Sequence, residues 1–135
     1  MHRSLAAALL AACGACGSGA KDAPACPTID GKFKATSTLA STNGSCAQAK
    51  AVSVDTLDFS KGNYQFPVPG AATCKTTELG CDVKVHCTTP LLPSAAFVFE
   101  GTLSPDGSEL NGTGTFTGSY QGCSQVVYTF DATQM

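Results

Sequence analysis

Six cysteines, Cys26, Cys46, Cys74, Cys81, Cys87 and Cys123, run through the body of a 135-residue chain that holds no tryptophan. Cysteine at that density reads as a disulfide framework formed in an oxidising compartment. Such bridges dictate which distant segments must meet, so they constrain the fold more than local propensity does. Six cysteines allow fifteen pairings, and sequence alone does not choose among them. Geometry excludes one pair. Cys81 and Cys87 flank Asp82-Val83-Lys84-Val85-His86, which alternates as a strand does. Six residues of strand span about 20 Å at ~3.3 Å each, whereas a disulfide needs Cα atoms about 4.4–6.8 Å apart. Cys74 is the nearest partner for either one, because Lys75 to Gly80 can turn back and bring it beside Cys81 or Cys87.

Thr, Ser, Val and Gly dominate this region. Turn signals recur about every 10–15 residues, and no long stretch repeats with the helical period. The expected fold class is all-β, a small antiparallel barrel or sandwich of about seven strands. Strands are predicted near 31–39, 50–59, 63–68, 82–88, 95–103, 109–118 and 124–132. Cys46 to Lys50 can form a helical turn instead.

Two hairpins can be registered. The first turns at Lys61-Gly62, since two-residue loops with Gly favour hairpins. It pairs Phe59 with Tyr64 and Leu57 with Phe66. The second turns at Pro105-Asp106-Gly107-Ser108, where Pro presets φ and Gly supplies φ > 0. It pairs Leu103 with Leu110, Gly101 with Gly112, Phe99 with Gly114 and Phe97 with Phe116. A slip of one residue would put Glu109, Asn111, Thr113 and Thr115 in the core, so this register is strongly specified. Glycines opposite Phe99 and Gly101 mark a bend or a close approach of two backbones. In the last strand Val126, Tyr128 and Phe130 share one face.

The N-terminus carries a different message. Met1-His2-Arg3 is a basic start, Leu5 to Ala12 an apolar run, and small residues precede Cys13. These are the marks of a secretory signal, and the run falls short of the roughly 20 residues that span a bilayer. Leu10-Ala11-Ala12-Cys13 fills all four positions of a lipobox and resembles the signal of bacterial lipoproteins. That resemblance implies cleavage after Ala12 and a lipid on Cys13. With Gly14 and not Asp in the next position, it also implies the outer membrane of a Gram-negative bacterium. The expected organisation is a signal peptide over 1–12, a lipid anchor and flexible tether over 13–27, and a disulfide-bonded β domain over 28–135. Gly, Ala, Ser and Pro fill Gly14 to Pro27, a composition that cannot bury a core. Cys13-Gly14-Ala15-Cys16 has a redox spacing, but no βαβ pattern surrounds it, and Cys16 is left as the odd cysteine.

Composition and motifs narrow the function classes. Of the eight basic residues one is Arg3, leaving seven lysines and no arginine against ten acids. Without arginine or a basic block, nucleic-acid binding is not expected. His86 is the one histidine outside the signal. A zinc site from Cys74, Cys81, His86 and Cys87 is conceivable, but His86 and Cys87 point to opposite faces of a strand, and thiols in the cell envelope oxidise. No nucleophile elbow or phosphate loop occurs. Glu100 is expected to face water, Asp55 and Asp58 to flank a bulge, and Asp30-Gly31 to form a turn and not a calcium loop. Asn43-Gly44-Ser45 and Asn111-Gly112-Thr113 match the glycosylation pattern, as expected by chance in a bacterial lipoprotein. The expectation is therefore a non-enzymatic envelope lipoprotein without metal or cofactor, a binding or structural module held to the membrane by its lipid. The alternative is a lipocalin-like carrier, whose pocket would be lined by Phe97, Phe99, Phe116, Tyr128 and Phe130. A third reading is a disulfide-stapled inhibitor presenting Pro67-Val68-Pro69-Gly70 or Thr88 to Pro93.

Overall fold

The computed structural model describes residues 25–135. The signal peptide, Cys13, Cys16 and most of the expected tether lie outside the described residues. The rest is all-β, with seven antiparallel strands in one sheet: β1 (Lys32–Gly44), β2 (Val52–Asp58), β3 (Thr73–Leu79), β4 (Asp82–Thr89), β5 (Leu92–Leu103), β6 (Glu109–Tyr120) and β7 (Cys123–Gln134). Their order is β2-β1-β7-β6-β5-β4-β3. Strands adjacent in sequence are neighbours, apart from the link between β2 and β3, which form the two edges.

Those edges do not pair with each other, so the sheet is not a closed barrel. It is nonetheless strongly coiled. In a flat sheet of seven strands the edges would lie about 29 Å apart, at ~4.8 Å per step. Here three consecutive residues reach both edges. The Gln65 N–H donates to the Asp58 carbonyl of β2 at 2.7 Å. On the other side the Tyr64 N–H donates to the Thr76 hydroxyl of β3 at 2.9 Å, and the Thr76 N–H donates to Asn63 Oδ1 at 3.2 Å.

Glycine makes the coil possible. The β5–β6 pairing has the register read from the sequence, Phe97 opposite Phe116 through to Leu103 opposite Leu110. A Cβ on Gly112 would lie 2.0 Å from the Glu100 carbonyl oxygen and 2.6 Å from Gly101 Cα. No side chain fits there, and the strands bend together at this point. The turn joining β5 and β6 closes with the Ser104 N–H donating to the Glu109 carbonyl. Asp106 organises it. Hydrogen bonds from the Ser104 hydroxyl, and then from the Ser108 N–H and hydroxyl, hold its carboxyl down at about 2.

The concave face holds the core. Phe33, Phe59, Phe99, Ile29, Leu110 and Val85 are fully buried. The Phe99 ring meets Phe59, Tyr64, Phe97 and Phe130 at centroid distances of 5.8, 5.1, 5.9 and 5.7 Å, mostly edge to face, the arrangement that ring quadrupoles favour. One end of this face is sealed. Ile29 packs into the core there and donates its N–H to Glu78 Oε1 at 2.7 Å. Cys26 is bonded to Cys81 in the β3–β4 turn, and Pro27 lies under Gly107.

All six cysteines are paired: Cys26–Cys81, Cys46–Cys123 and Cys74–Cys87. Cys81 and Cys87 are not joined, and Cys74 bonds Cys87 directly across the β3–β4 ladder. The first expected hairpin needs correction. Its turn falls at Lys61-Gly62, inside a 3-10 turn over Ser60–Gly62, and Asp58 bridges Gln65 in the expected register. Phe59 and Tyr64 do meet, at 5.5 Å. However, 63–68 is not a strand. Pro67 lacks an N–H, and Asn63 and Tyr64 bond to Thr76 of β3 instead of extending a ladder on β2. The seventh strand is β3, in place of the expected turn back over Lys75 to Gly80. A second correction concerns Asp55 and Asp58: the β1–β2 register is continuous, with no bulge between them. Cys46 to Lys50 forms a turn, with the Ala49 N–H donating to the Cys46 carbonyl at 3.1 Å.

Replacing Gly112 with Ala forces a methyl group into occupied backbone. The expected cost is at least about 2 kcal/mol, at the upper part of the range for overpacking, while Thr113→Ala on the exposed face stays within about 0.5 kcal/mol. Urea unfolding of the oxidised chain measures both, and equal midpoints would refute the close approach as the source of the bend.

Candidate functional site

The unsealed end of the concave face is the candidate site. Alternation places the side chains that reach it. On β5, β6 and β7 the inward rows are Phe97 and Phe99, Gly114 and Phe116, and Val126, Tyr128 and Phe130. Gly114 carries no side chain, and the Phe97 ring lies over its bare backbone, 3.5 Å from where a Cβ would stand. Tyr64 and Pro67 enter from the segment between the sheet edges. On β2, Asp55 lies opposite Ala35 and Ser53 opposite Ser37. Ala35 is buried in the core, so Asp55 and Ser53 share its inward side.

The resulting cavity is about 610 Å³, with Phe97, Phe99, Tyr128 and Phe130 as its aromatic floor and Ser37, Ser53 and Asp55 on one wall. Two further cavities adjoin it. One of about 340 Å³ shares Phe97 and Tyr64 and is lined by Phe116, Ala95 and Cys87. The other, about 250 Å³, shares Tyr128 and lies against Phe116, Tyr120 and the Cys46–Ala49 turn. Ligand pockets commonly measure about 300–1,000 Å³ and are mainly apolar with a few polar groups. The disulfides frame the mouth. Cys46–Cys123 ties the β1–β2 turn to the β6–β7 turn, and Cys74–Cys87 staples the opposite edge.

Four of the five aromatic residues expected to line a pocket thus lie on one cavity, and Phe116 lines the two beside it. The loops expected to serve an inhibitor border the same opening. Pro67 and Thr89 are lining residues, while Val68 and Leu91 project into solvent at 59% and 80% exposure.

The other candidates lie elsewhere. His86 and Glu100 are on the convex face, and Glu100 pairs with Lys84 at 2.7 Å. Asp58 is outward, bonded to the Ser60 hydroxyl and N–H and 3.9 Å from Lys32; the Ser60 bonds do most to lower its pKa. Asp30 accepts from the Gly31 and Lys61 N–H groups and forms a turn. Cys74, Cys81 and Cys87 are all consumed in disulfides and are not free to ligate zinc. Among the described residues, no group of three His, Cys, Asp or Glu is placed to hold a metal ion.

Sequence reasoning places neither Tyr64 nor Asp55 on a pocket, because the alternation at Tyr64 reads as a strand paired with β2. Asp55 was legible in principle, because it shares parity with Leu57, which faces the core.

Asp55 accepts a hydrogen bond from Ser53 Oγ at 3.0 Å. Its charge is felt by the Tyr64 phenol, whose pKa is raised above 10.0 by burial first and by Asp55 second. None of the known families, curated proteins or solved structures compared with this chain matches it.

The raised phenol has a sign to test. Folding favours the neutral phenol, so this contribution is complete below pH 10.0 and is lost as pH rises through the higher folded value. Ultraviolet titration of the folded chain is expected to show one tyrosine ionising late. Asp55→Asn should bring that ionisation only part of the way back, because burial remains. A full return to the ordinary value would show that charge, and not burial, dominates.

Proposed function

We propose that this chain is a lipid-anchored protein of the bacterial cell envelope whose β domain is a non-enzymatic binding module for a small apolar or amphipathic ligand. The observation that carries this reading is the open, aromatic-lined cavity at one end of an otherwise filled concave face. A wholly filled interior would have favoured a surface used only for contacts. The cavity therefore favours the carrier over the purely structural module, in an open sheet and not a lipocalin-type barrel.

Three disulfides support an oxidising location outside the cytoplasm. The lipobox supports the anchor. One acyl chain gives marginal membrane binding and two or more hold firmly, at about 0.8 kcal/mol per buried CH₂. The chain joins the fold at Cys26, at the sealed end. A tether from Cys13 would thus attach opposite the cavity mouth and leave the mouth open to solvent.

Mass spectrometry of the membrane fraction is expected to find diacylglyceryl on Cys13, and Cys13→Ser to release the protein. A Cys13→Ser chain that still fractionates with membranes and matures normally would overturn the anchor. For the ligand, the oxidised chain should bind the neutral fluorescent probe phenylnaphthylamine saturably. Phe97→Asp should weaken that binding at least about tenfold, since it places a charge on the apolar floor. Unsaturable binding, or binding indifferent to Phe97→Asp, would count against the cavity.

A further inference from the structure

The concave face is asymmetric in charge. Lys32, Lys34, Lys75 and Lys84 all alternate onto the convex side of their strands. The residues charged at neutral pH that the strands turn inward are Asp55 and Glu78, both acidic. Glu78 is committed, because its Oε1 accepts the Ile29 N–H at the sealed end. Asp55 makes no ion pair among the described residues, and its hydrogen-bond partner is the neutral Ser53 hydroxyl. It stands on the wall of a cavity floored by Phe97, Phe99, Tyr128 and Phe130. Lys50 also borders this cavity, but from the exposed β1–β2 turn and not from a strand wall.

We propose that the cavity selects an amphipathic organic cation, an alkyl- or arylammonium, whose charged head sits at Asp55 and whose apolar part lies over the aromatic floor. This rests on the reading of the cavity as a ligand site and adds the sign of the ligand's charge. A carboxylate attracts the head directly. Ring faces attract it through their quadrupoles, and they tolerate the alkyl groups of a substituted ammonium that water solvates poorly. The same wall disfavours an anion of equal size. Tyr64 feels the same negative potential, which disfavours its phenolate.

A matched series tests the sign: phenylbutyl-trimethylammonium, neutral phenylbutanol and anionic phenylbutyrate, titrated into the oxidised full chain at low ionic strength and followed by chemical shifts of Tyr64 and Tyr128. The cation is expected to bind about tenfold more tightly than the alcohol, from a partly screened ion pair together with cation–π attraction, and the anion most weakly. Added salt should narrow the gap. Asp55→Asn should bring the cation to within about twofold of the alcohol while the alcohol's Kd stays unchanged, which also reports an intact fold. Should Asp55→Asn fail to fold, Lys50→Gln provides the second reading: it should tighten the cation and leave the alcohol alone, and a weakened cation would overturn the inference. Alcohol binding with no preference for the cation overturns the charge assignment and leaves the cavity as a ligand site. Absence of binding by all three overturns both.

Discussion

The packing of Phe59 against Phe99 and Phe33 is the contact on which the rest of the structure depends. Phe33 lies on β1 and Phe99 on β5, three strands away across the sheet. Phe59 lies within 5.9 Å of the first ring and 5.8 Å of the second. It holds the two flanks of the coiled sheet together where no strand ladder does, because β2 and β3 never pair. A buried Phe contributes roughly 1.5–3 kcal/mol from its area, and truncating one in a core costs about 3–5 kcal/mol. Here the loss would also release the segment that spans the edges. The bonds to Asn63 Oδ1 and from the Tyr64 and Gln65 N–H groups then make that span specific.

The cavity follows from the same arrangement. The crossing segment reaches from Phe59 to Phe66 and then leaves the concave face at Pro67. Beyond it, no strand ladder joins β2 to β3. Closure there would require an eighth strand, and Pro67 and Pro69 deny the chain a ladder in that stretch. Phe97 of β5 and Tyr128 of β7, both half-buried, therefore border open space, flanked by the polar wall of β2. A domain that closes only one end in this way is well built at the sealed end and receptive at the other. The three disulfides are placed accordingly, one at the sealed end and two framing the mouth. Each constrains the unfolded chain, typically by about 2–4 kcal/mol.

Legibility varied by strand for physical reasons. The β5–β6 hairpin was readable to the residue, because Pro105-Asp106-Gly107 forces a turn and large apolar residues alternate with polar ones on both sides. β7 was readable for the same alternation. β3 was not. Its inward residues are Cys74, Thr76 and Glu78, so period-two hydrophobicity is absent. Each faces inward for a private reason: Cys74 bonds Cys87, the Thr76 hydroxyl accepts from Tyr64, and Glu78 accepts from Ile29. The stretch Tyr64-Gln65-Phe66 showed the opposite fault. It has the alternation of a strand and lies inward as expected, but its hydrogen bonds go to both edges and build no ladder.

By itself the sequence determined the all-β class, the faces and registers of the strands with strong alternation, and the exclusion of a Cys81–Cys87 pair. These follow from local chemistry: side-chain period, turn residues, and the span of an extended chain. Only the tertiary structure decided which cysteines join, that the sheet stays open, and that Asp55 shares a cavity with Phe97 and Tyr128. Those outcomes depend on how far the sheet coils. The coil is a sum over strands, set by close approach at Gly112 and by rings from distant strands meeting at Phe99, and no local pattern in the chain encodes that sum.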